Sequence, residues 1–218
     1  MRIRPVGAHA LLLDFTAPPP EVGAGSAATP ASVVEAWRAE LWRRREQGEL
    51  VATEIVPAAA TVLLDGVPDP AATAARLLGW TPAPPAGTTT PGADPVEVPV
   101  TYDGEDLPQV AAHWGTDVPS VLRRLERTEF RVAFCGFAPG FGYLTGLPAE
   151  LAVPRLASPR PRVPAGSVAL AGPYAGIYPT ASPGGWLLVG RTTLTLFDVH
   201  ADPPARLTPG TPVRLVPA

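Results

Sequence analysis

The residues whose types and spacing could do chemistry gather between positions 134 and 192, in the strings FCGFAPGFGYLTGLP and PRLASPRPRVPAGSVALAGPYAGIYPTASPGGWLLVGRT. Glycines at 136, 140, 142, 166, 184 and 185 lack a Cβ and let a backbone come close to a ligand, and the interleaved prolines hold such loops in one shape. The same strings carry Arg155, Arg160, Arg162, Ser167, Tyr143, Tyr178, Ser182 and Arg191. Arginine forks suit carboxylate or phosphate, and backbone amides in turns such as those at Gly166, Gly184 and Gly185 can cradle an anion. A small anionic ligand is the natural reading, against a plainer one in which the arginines form surface ion pairs and the glycines only turn the chain. Phe137, Pro139, Phe141 and Trp186 read as the wall of a pocket or the face for a partner, because strand alternation cannot easily bury both phenylalanines of one Gly/Pro loop.

Several other chemistries are disfavoured. GFAPGFG lacks the strand-to-helix setting and the acidic residue about twenty positions on that a dinucleotide fingerprint needs, and neither GxxxxGK[ST] nor GxSxG occurs. Cys135 ends the apolar run VAFC and reads as a small core residue. His9, His113 and His200 lie far apart without a ligand spacing, so no metal site is expected. Asp14, Glu54 and Asp65 show no pairing logic, and no catalytic acid, base or nucleophile is identified.

These loops need a scaffold. Residues 2–6 and 10–15 read as strands across Gly7, followed by a Pro/Gly/Ala loop over 18–30. A helix over 31–46 collects Val33, Val34, Trp37, Leu41 and Trp42 on one face and stops at Gly48. Strands over 50–56 and 61–64 and a helix over 70–78 capped by Asp69 complete an α+β sandwich, residues 1–80, with its helices on one face of an antiparallel sheet. The Pro/Gly/Thr-rich stretch 81–95 reads as a stiff linker. Residues 96–218 then give a strand over 96–101, two helical pieces within 106–128, and the short apolar runs VAF, SVAL, GIY, WLLVG, TLTLF and VRLV. That rhythm predicts an all-β barrel or sandwich.

The 218 residues are 46% hydrophobic and 17% charged with a net charge of −3, which fits globular domains and gives no basic stripe for nucleic acid. No apolar run reaches the ~18 residues of a membrane span. The MRIRPVGAHALLLDF start is interrupted by Asp14 and is not expected to be a secretory leader. One cysteine suits a reducing compartment, and a cytoplasmic location is expected. Thirty prolines exclude long helices from most of the chain.

The strings GFAPGFGYLTGL (136–147), PRLASPRPRVPAGSVALAG (154–172) and GIYPTASPGGWLLVGRT (176–192) resemble a family that takes in the B-type 5-oxoprolinase subunits, allophanate hydrolase subunit 1 and carboxyltransferase subdomains C and D, and that includes a sporulation-kinase inhibitor. The likeness extends to IRPVGAHALLLDF, EIVPAAATVLLDG, VPVTYDGEDLPQVA and the PGTPVRLVPA tail. It implies a small N-terminal α/β domain followed by a cyclophilin-like β-barrel. It further implies a carboxyltransferase-like, C-type sister subunit, a third, A-type oxoprolinase subunit, and an ATP-dependent 5-oxoprolinase, using ATP with Mg in the complex, that opens 5-oxoproline to glutamate. A lactam is a poor electrophile; phosphorylating its oxygen would let water attack, and Arg160, Arg162 and Arg191 would hold the anion while Ser167 and the glycine amides orient the substrate.

Two alternatives stay open on the same resemblance: a non-catalytic module that inhibits a histidine kinase, and a component of urea/allophanate-type, biotin-dependent carboxyl transfer. Because the chain contains no lysine, any biotin would be attached elsewhere. Leu125, Leu156, Ala175 and Thr180 depart from the family pattern, which expects polar groups there.

Overall fold

The computed structural model describes residues 1–16, 30–83 and 94–218, so the expected loop over 18–30, apart from its last residue, and most of the 81–95 linker lie outside the described residues. The chain divides into two compact units, Met1–Pro91 and Gly92–Ala218.

In the first unit, β1 (Arg2–Val6), β2 (Ala10–Asp14), α1 (Pro30–Glu46), β3 (Glu54–Pro57), β4 (Thr61–Asp65) and α2 (Pro70–Leu78) follow in order. The strands form one antiparallel sheet ordered β1-β2-β4-β3. Alternation sends Leu11, Leu13, Ile55, Val62 and Leu64 into one core with Val34, Trp37 and Leu41 of α1 and Leu77 of α2. Both helices therefore serve the same face of the sheet. α1 ends where Gly48 adopts φ 73°, and α2 begins where Asp69 accepts the Ala72 N–H at 2.9 Å. The strand expected from 50 begins only at Glu54: Leu50 is buried, but its N–H donates to the Arg44 carbonyl and so finishes the helix rather than joining the sheet.

The second unit opens with β5 (Val96–Val100), α3 (Leu107–His113) and α4 (Val118–Arg127). Strands β6 (Phe130–Cys135), β7 (Gly142–Thr145), β8 (Arg160–Val163), β9 (Ser167–Ala171), β10 (Tyr174–Ile177), β11 (Ser182–Gly184), β12 (Leu187–Arg191) and β13 (Pro212–Pro217) follow, with one 3-10 turn at Ala149–Leu151. Seven strands lie in the order β12-β9-β10-β7-β6-β13-β5, antiparallel except for the β13–β5 pair. Just past β5, Thr101 and Arg191 exchange N–H···O bonds of 2.8 and 2.9 Å, which brings the two edges together and nearly closes a barrel. Val98, Val132, Leu144, Val168, Leu170, Ile177, Leu187 and Leu215 fill it with Val110, Val121 and Leu125 from the helices. The TLTLF run is not a strand; it contributes only a single bridge between Phe197 and Ala205.

All five residues of β9 are buried, which requires cover on both faces. Val168 and Leu170 point into the barrel, whereas Ala169 and Ala171 join a second cluster with Phe141, Val163, Tyr178, Trp186 and Leu188. The cover on that outer face comes from β8 and β11, which pair with each other as a separate two-stranded ribbon.

Candidate functional site

The ribbon, the 136–141 loop and the start of β12 bring most of the residues singled out in the sequence to this outer layer. Phe141 is its hub: the rings of Phe137, Tyr143, Tyr178 and Trp186 stand edge-on around it at 5.3, 5.0, 5.5 and 5.5 Å. β10 admits them because its Gly176 has no side chain; a Cβ there would lie 2.8 Å from Phe141 and 2.9 Å from Trp186. Tyr143 stacks on Phe134 at 4.3 Å and meets Tyr174 edge-on at 5.7 Å.

The two phenylalanines of the loop part company. Phe141 is 2% exposed and belongs to the layer, as does Trp186, so neither offers a face; Phe137 is 61% exposed and Pro139 is exposed beside it. Phe137 also has φ 68°, and the Ala138 N–H donates across it to the Gly136 carbonyl at 2.8 Å, closing a γ-turn of the positive-φ kind. A side chain in that region costs about 1–2 kcal/mol.

The arginines fall into two sets. Arg160 is bonded throughout: Nη2 donates to both carboxylate oxygens of Asp106 at 2.8 Å, Nε pairs with Glu105 at 2.8 Å, and Nη1 donates to the Trp186 carbonyl at 3.3 Å. Arg191 forms an exposed pair with Asp103 at 2.7 Å. Arg155 and Arg162 are exposed, and no carboxylate pairs with either among the described residues. The Arg155 guanidinium stands 5.9 Å from the centre of the Trp186 ring.

Tyr178 lies under this surface. Burial pushes its pKa up, opposed by the nearby Arg155 charge and by the Trp186 N–H, so the phenol stays neutral. Gly184 backs directly onto the Tyr178 hydroxyl and Gly185 onto Leu156 and Pro159. Gly166 and Ser167 lie at the other end of β9: the Gly166 N–H donates to the Tyr178 carbonyl at 2.7 Å, the Thr192 N–H donates to the Gly166 carbonyl at 2.8 Å, and Ser167 is buried. They build the turn and do not join the aromatic layer. Ser182, opposite Val163 in the ribbon, has a buried Oγ with no hydrogen-bond partner among the described residues.

Of the positions that depart from the family pattern, Leu125 and Ala175 are wholly buried in the barrel core, Leu156 is half-buried and Thr180 is exposed. Cys135 is half-buried, its Sγ donates to the Leu207 carbonyl at 3.4 Å, and burial pushes its thiol pKa up, which leaves it a poor nucleophile. Among the described residues no three His, Cys, Asp or Glu side chains converge as a metal site, and no helix is long and apolar enough to cross a membrane. A depression of about 460 Å³ is formed by the 195–206 loop, with Asp198, Asp202 and Arg206 in its lining.

Chemically, the layer offers two cations without a carboxylate partner among the described residues, Arg155 and Arg162, and one exposed aromatic ring, Phe137, over a buried aromatic cluster that holds the neutral phenol of Tyr178. It can bind and orient an anion that carries a flat apolar part. The carboxylates that reach it, Asp106 and Glu105, are both committed to Arg160. Sequence reasoning missed these two, because the 103–106 loop precedes the motif block and nothing in its spacing points there.

Comparisons with known proteins place this architecture. The family described as Carboxyltransferase domain, subdomain C and D, matches residues 1–207. The B-type 5-oxoprolinase subunit of Escherichia coli O157:H7 is 50% identical over 125 residues, covering 56% of this chain and 57% of that protein. The B-type 5-oxoprolinase subunit of Bacillus subtilis (strain 168) is 44% identical over 124 residues, covering 56% and 52%. The matched segment thus spans about half the length of these curated relatives. Among solved structures, TTHA0988 is 35% identical with a TM-score of 0.72, over 97% of this chain and 40% of that one. A conserved uncharacterized protein, PH0987 from Pyrococcus horikoshii, is 31% identical with a TM-score of 0.54, over 100% and 97%. The urea carboxylase of Kluyveromyces lactis shares the fold alone, at 18% identity and a TM-score of 0.70, over 99% of this chain and 21% of that one. With its barrel, its ribbon-covered outer layer and a match running from residue 1 to residue 207, the chain belongs to the carboxyltransferase domain, subdomain C and D, family.

Proposed function

We propose that the chain is one component of an ATP-dependent 5-oxoprolinase that opens 5-oxoproline to glutamate. The observation that carries this reading is the 43–50% identity to relatives named as B-type 5-oxoprolinase subunits. The outer layer agrees with it: 5-oxoproline is a carboxylate on a flat five-membered lactam, and the layer carries the exposed Arg155, set over Trp186, and the exposed ring of Phe137, which stands edge-on to Tyr178.

In this reading the chain works in the cytoplasm with a carboxyltransferase-like sister subunit and a third oxoprolinase subunit, and ATP with Mg is bound in the complex. Transfer of the γ-phosphoryl group from ATP to the lactam oxygen, with ADP leaving, would open the ring carbon to water; the C–N bond would then break and phosphate leave, giving glutamate. Arg155 and Arg162 face the negative charge of the substrate, and the phenol of Tyr178 stays protonated in the buried cluster beneath them. The groups of this chain bind and orient; the general base comes from a partner or from water held there.

The test is 5-oxoproline-dependent ATP hydrolysis, with glutamate formation, by the co-expressed subunits with and without this chain. Turnover that requires the chain and, at 5-oxoproline well below KM, falls about tenfold with Arg155→Met supports the reading. Full turnover in its absence would sink it.

A further inference from the structure

Arg160 has the most bonds of any arginine in the layer, and all of them go to its own chain. We infer that Arg160 is a positioning residue: it fixes Trp186 and the 154–160 segment so that Arg155, rather than Arg160 itself, is presented to an anionic ligand. This deepens the proposed function and rests on its reading of the outer layer as the ligand site.

Asp106 is a buried carboxylate just before α3. Its main-chain N–H donates to the Leu188 carbonyl at 3.1 Å and its carboxylate accepts the Leu188 N–H at 2.6 Å, so it grips β12 from both sides of one residue. The loop can lie that close because Gly104 has no side chain: a Cβ there would sit 2.3 Å from the Leu188 carbonyl oxygen. Arg160, at the start of β8, neutralises this buried charge through Nη2, adds Glu105 through Nε, and reaches the Trp186 carbonyl through Nη1. Residues distant in sequence, Glu105 with Asp106 and Trp186, thus meet at one guanidinium. Turning it toward a ligand would leave the Asp106 carboxylate buried without its cation, an expensive state.

Arg155 is held by the same frame from the other side. The Leu156 N–H donates to the Gly185 carbonyl at 2.7 Å, immediately before Trp186, and the Arg155 guanidinium stands over the Trp186 ring. Arg160 holds that residue by its carbonyl, and Arg155 is set against it by its ring. Arg191, whose single pair with Asp103 is exposed on both sides, shares none of these contacts.

Two measurements test this. Hydrogen–deuterium exchange on the whole chain should be at least about tenfold faster at residues 183–188 in Arg160→Met and in Asp106→Asn, intermediate in Arg160→Lys, and unchanged in Arg191→Met. Wild-type exchange in Arg160→Lys and Asp106→Asn would overturn the inference, whether or not Arg160→Met folds. In the co-expressed complex, Arg160→Met and Arg155→Met should each raise KM for 5-oxoproline about tenfold with kcat little changed, and the double variant should be no worse than Arg155→Met alone. Multiplying losses would mean that Arg160 meets the ligand itself, and the inference would fail. A wild-type complex without 5-oxoproline turnover would defeat the proposed activity only, and exchange would then decide the positioning role.

Discussion

Phe137 and Tyr102 are aromatic residues that the fold holds at a local cost. Phe137 carries its ring exposed on a left-handed backbone, edge-on to Phe141 and Tyr178 beneath it. Backbone strain of this kind persists where the surroundings determine it, here the bonds that close the 136–141 loop. Tyr102 packs beside the barrel core with its hydroxyl buried and unpaired among the described residues. Burial, with Glu126 nearby, pushes its pKa up to about 12 from 10.0. The raised value means that the folded state keeps the proton longer than the unfolded chain. Stability from this group is therefore full below pH 10 and is lost as the pH rises towards about 12. Tyr102→Phe removes an unpaired polar group and should stabilise the protein by about 1 kcal/mol in chemical denaturation at neutral pH, and it should flatten the alkaline loss. Destabilisation on that substitution would show that the hydroxyl has a partner worth keeping. Neither cost can be read from sequence: a phenylalanine between Gly136 and Ala138 carries no sign of positive φ, and a tyrosine after a strand carries no sign of an orphaned hydroxyl.

At the scale of elements, the helices were legible and the joins were not. α1 and α2 follow from local information: apolar residues on one face, Gly48 after the end, Asp69 and Pro70 at a start. In the second unit β6, β9, β10, β12 and β13 follow from apolar runs between Gly/Pro clusters, whereas β7, β8 and β11 come from GYLT, RPRV and SPG, which are not among the expected runs; TLTLF fails the other way, because Leu196 is buried by the loop that returns through Arg206 rather than by a strand partner. The pairing of Arg160 with Asp106 and Glu105 depends on a long-range approach of backbone to backbone, for which a lone Gly104 is the sole local trace. Gly104→Ala tests that approach directly. The added methyl meets main-chain atoms of Leu188 and Val189, which cannot swing aside, so a loss of about 2–4 kcal/mol is expected in urea denaturation. Gly115→Ala, which meets nothing within 4 Å but sits at φ 62°, unlike Gly104, should cost only about 1 kcal/mol.

For the molecule as a whole, the two units have separate cores, one built on Leu11, Leu13, Val62 and Leu64 and the other inside the barrel. A unit with its own core should fold alone. A polypeptide of residues 94–218 should give a cooperative thermal transition and slow amide exchange in β9 and β12; a chain without a transition would mean that its core is incomplete without the first unit. The order of strands in that unit has a kinetic consequence. β5, its first strand, pairs along its whole length with β13, its last, and the seam between Thr101 and Arg191 likewise spans most of the unit. Such contacts raise the contact order and make closure a late step, since chain entropy must be lost before the pairing rewards it. During synthesis β5 must wait, unpaired on that side, until the final strand leaves the ribosome, and until then it exposes a strand edge through which newly made chains can associate.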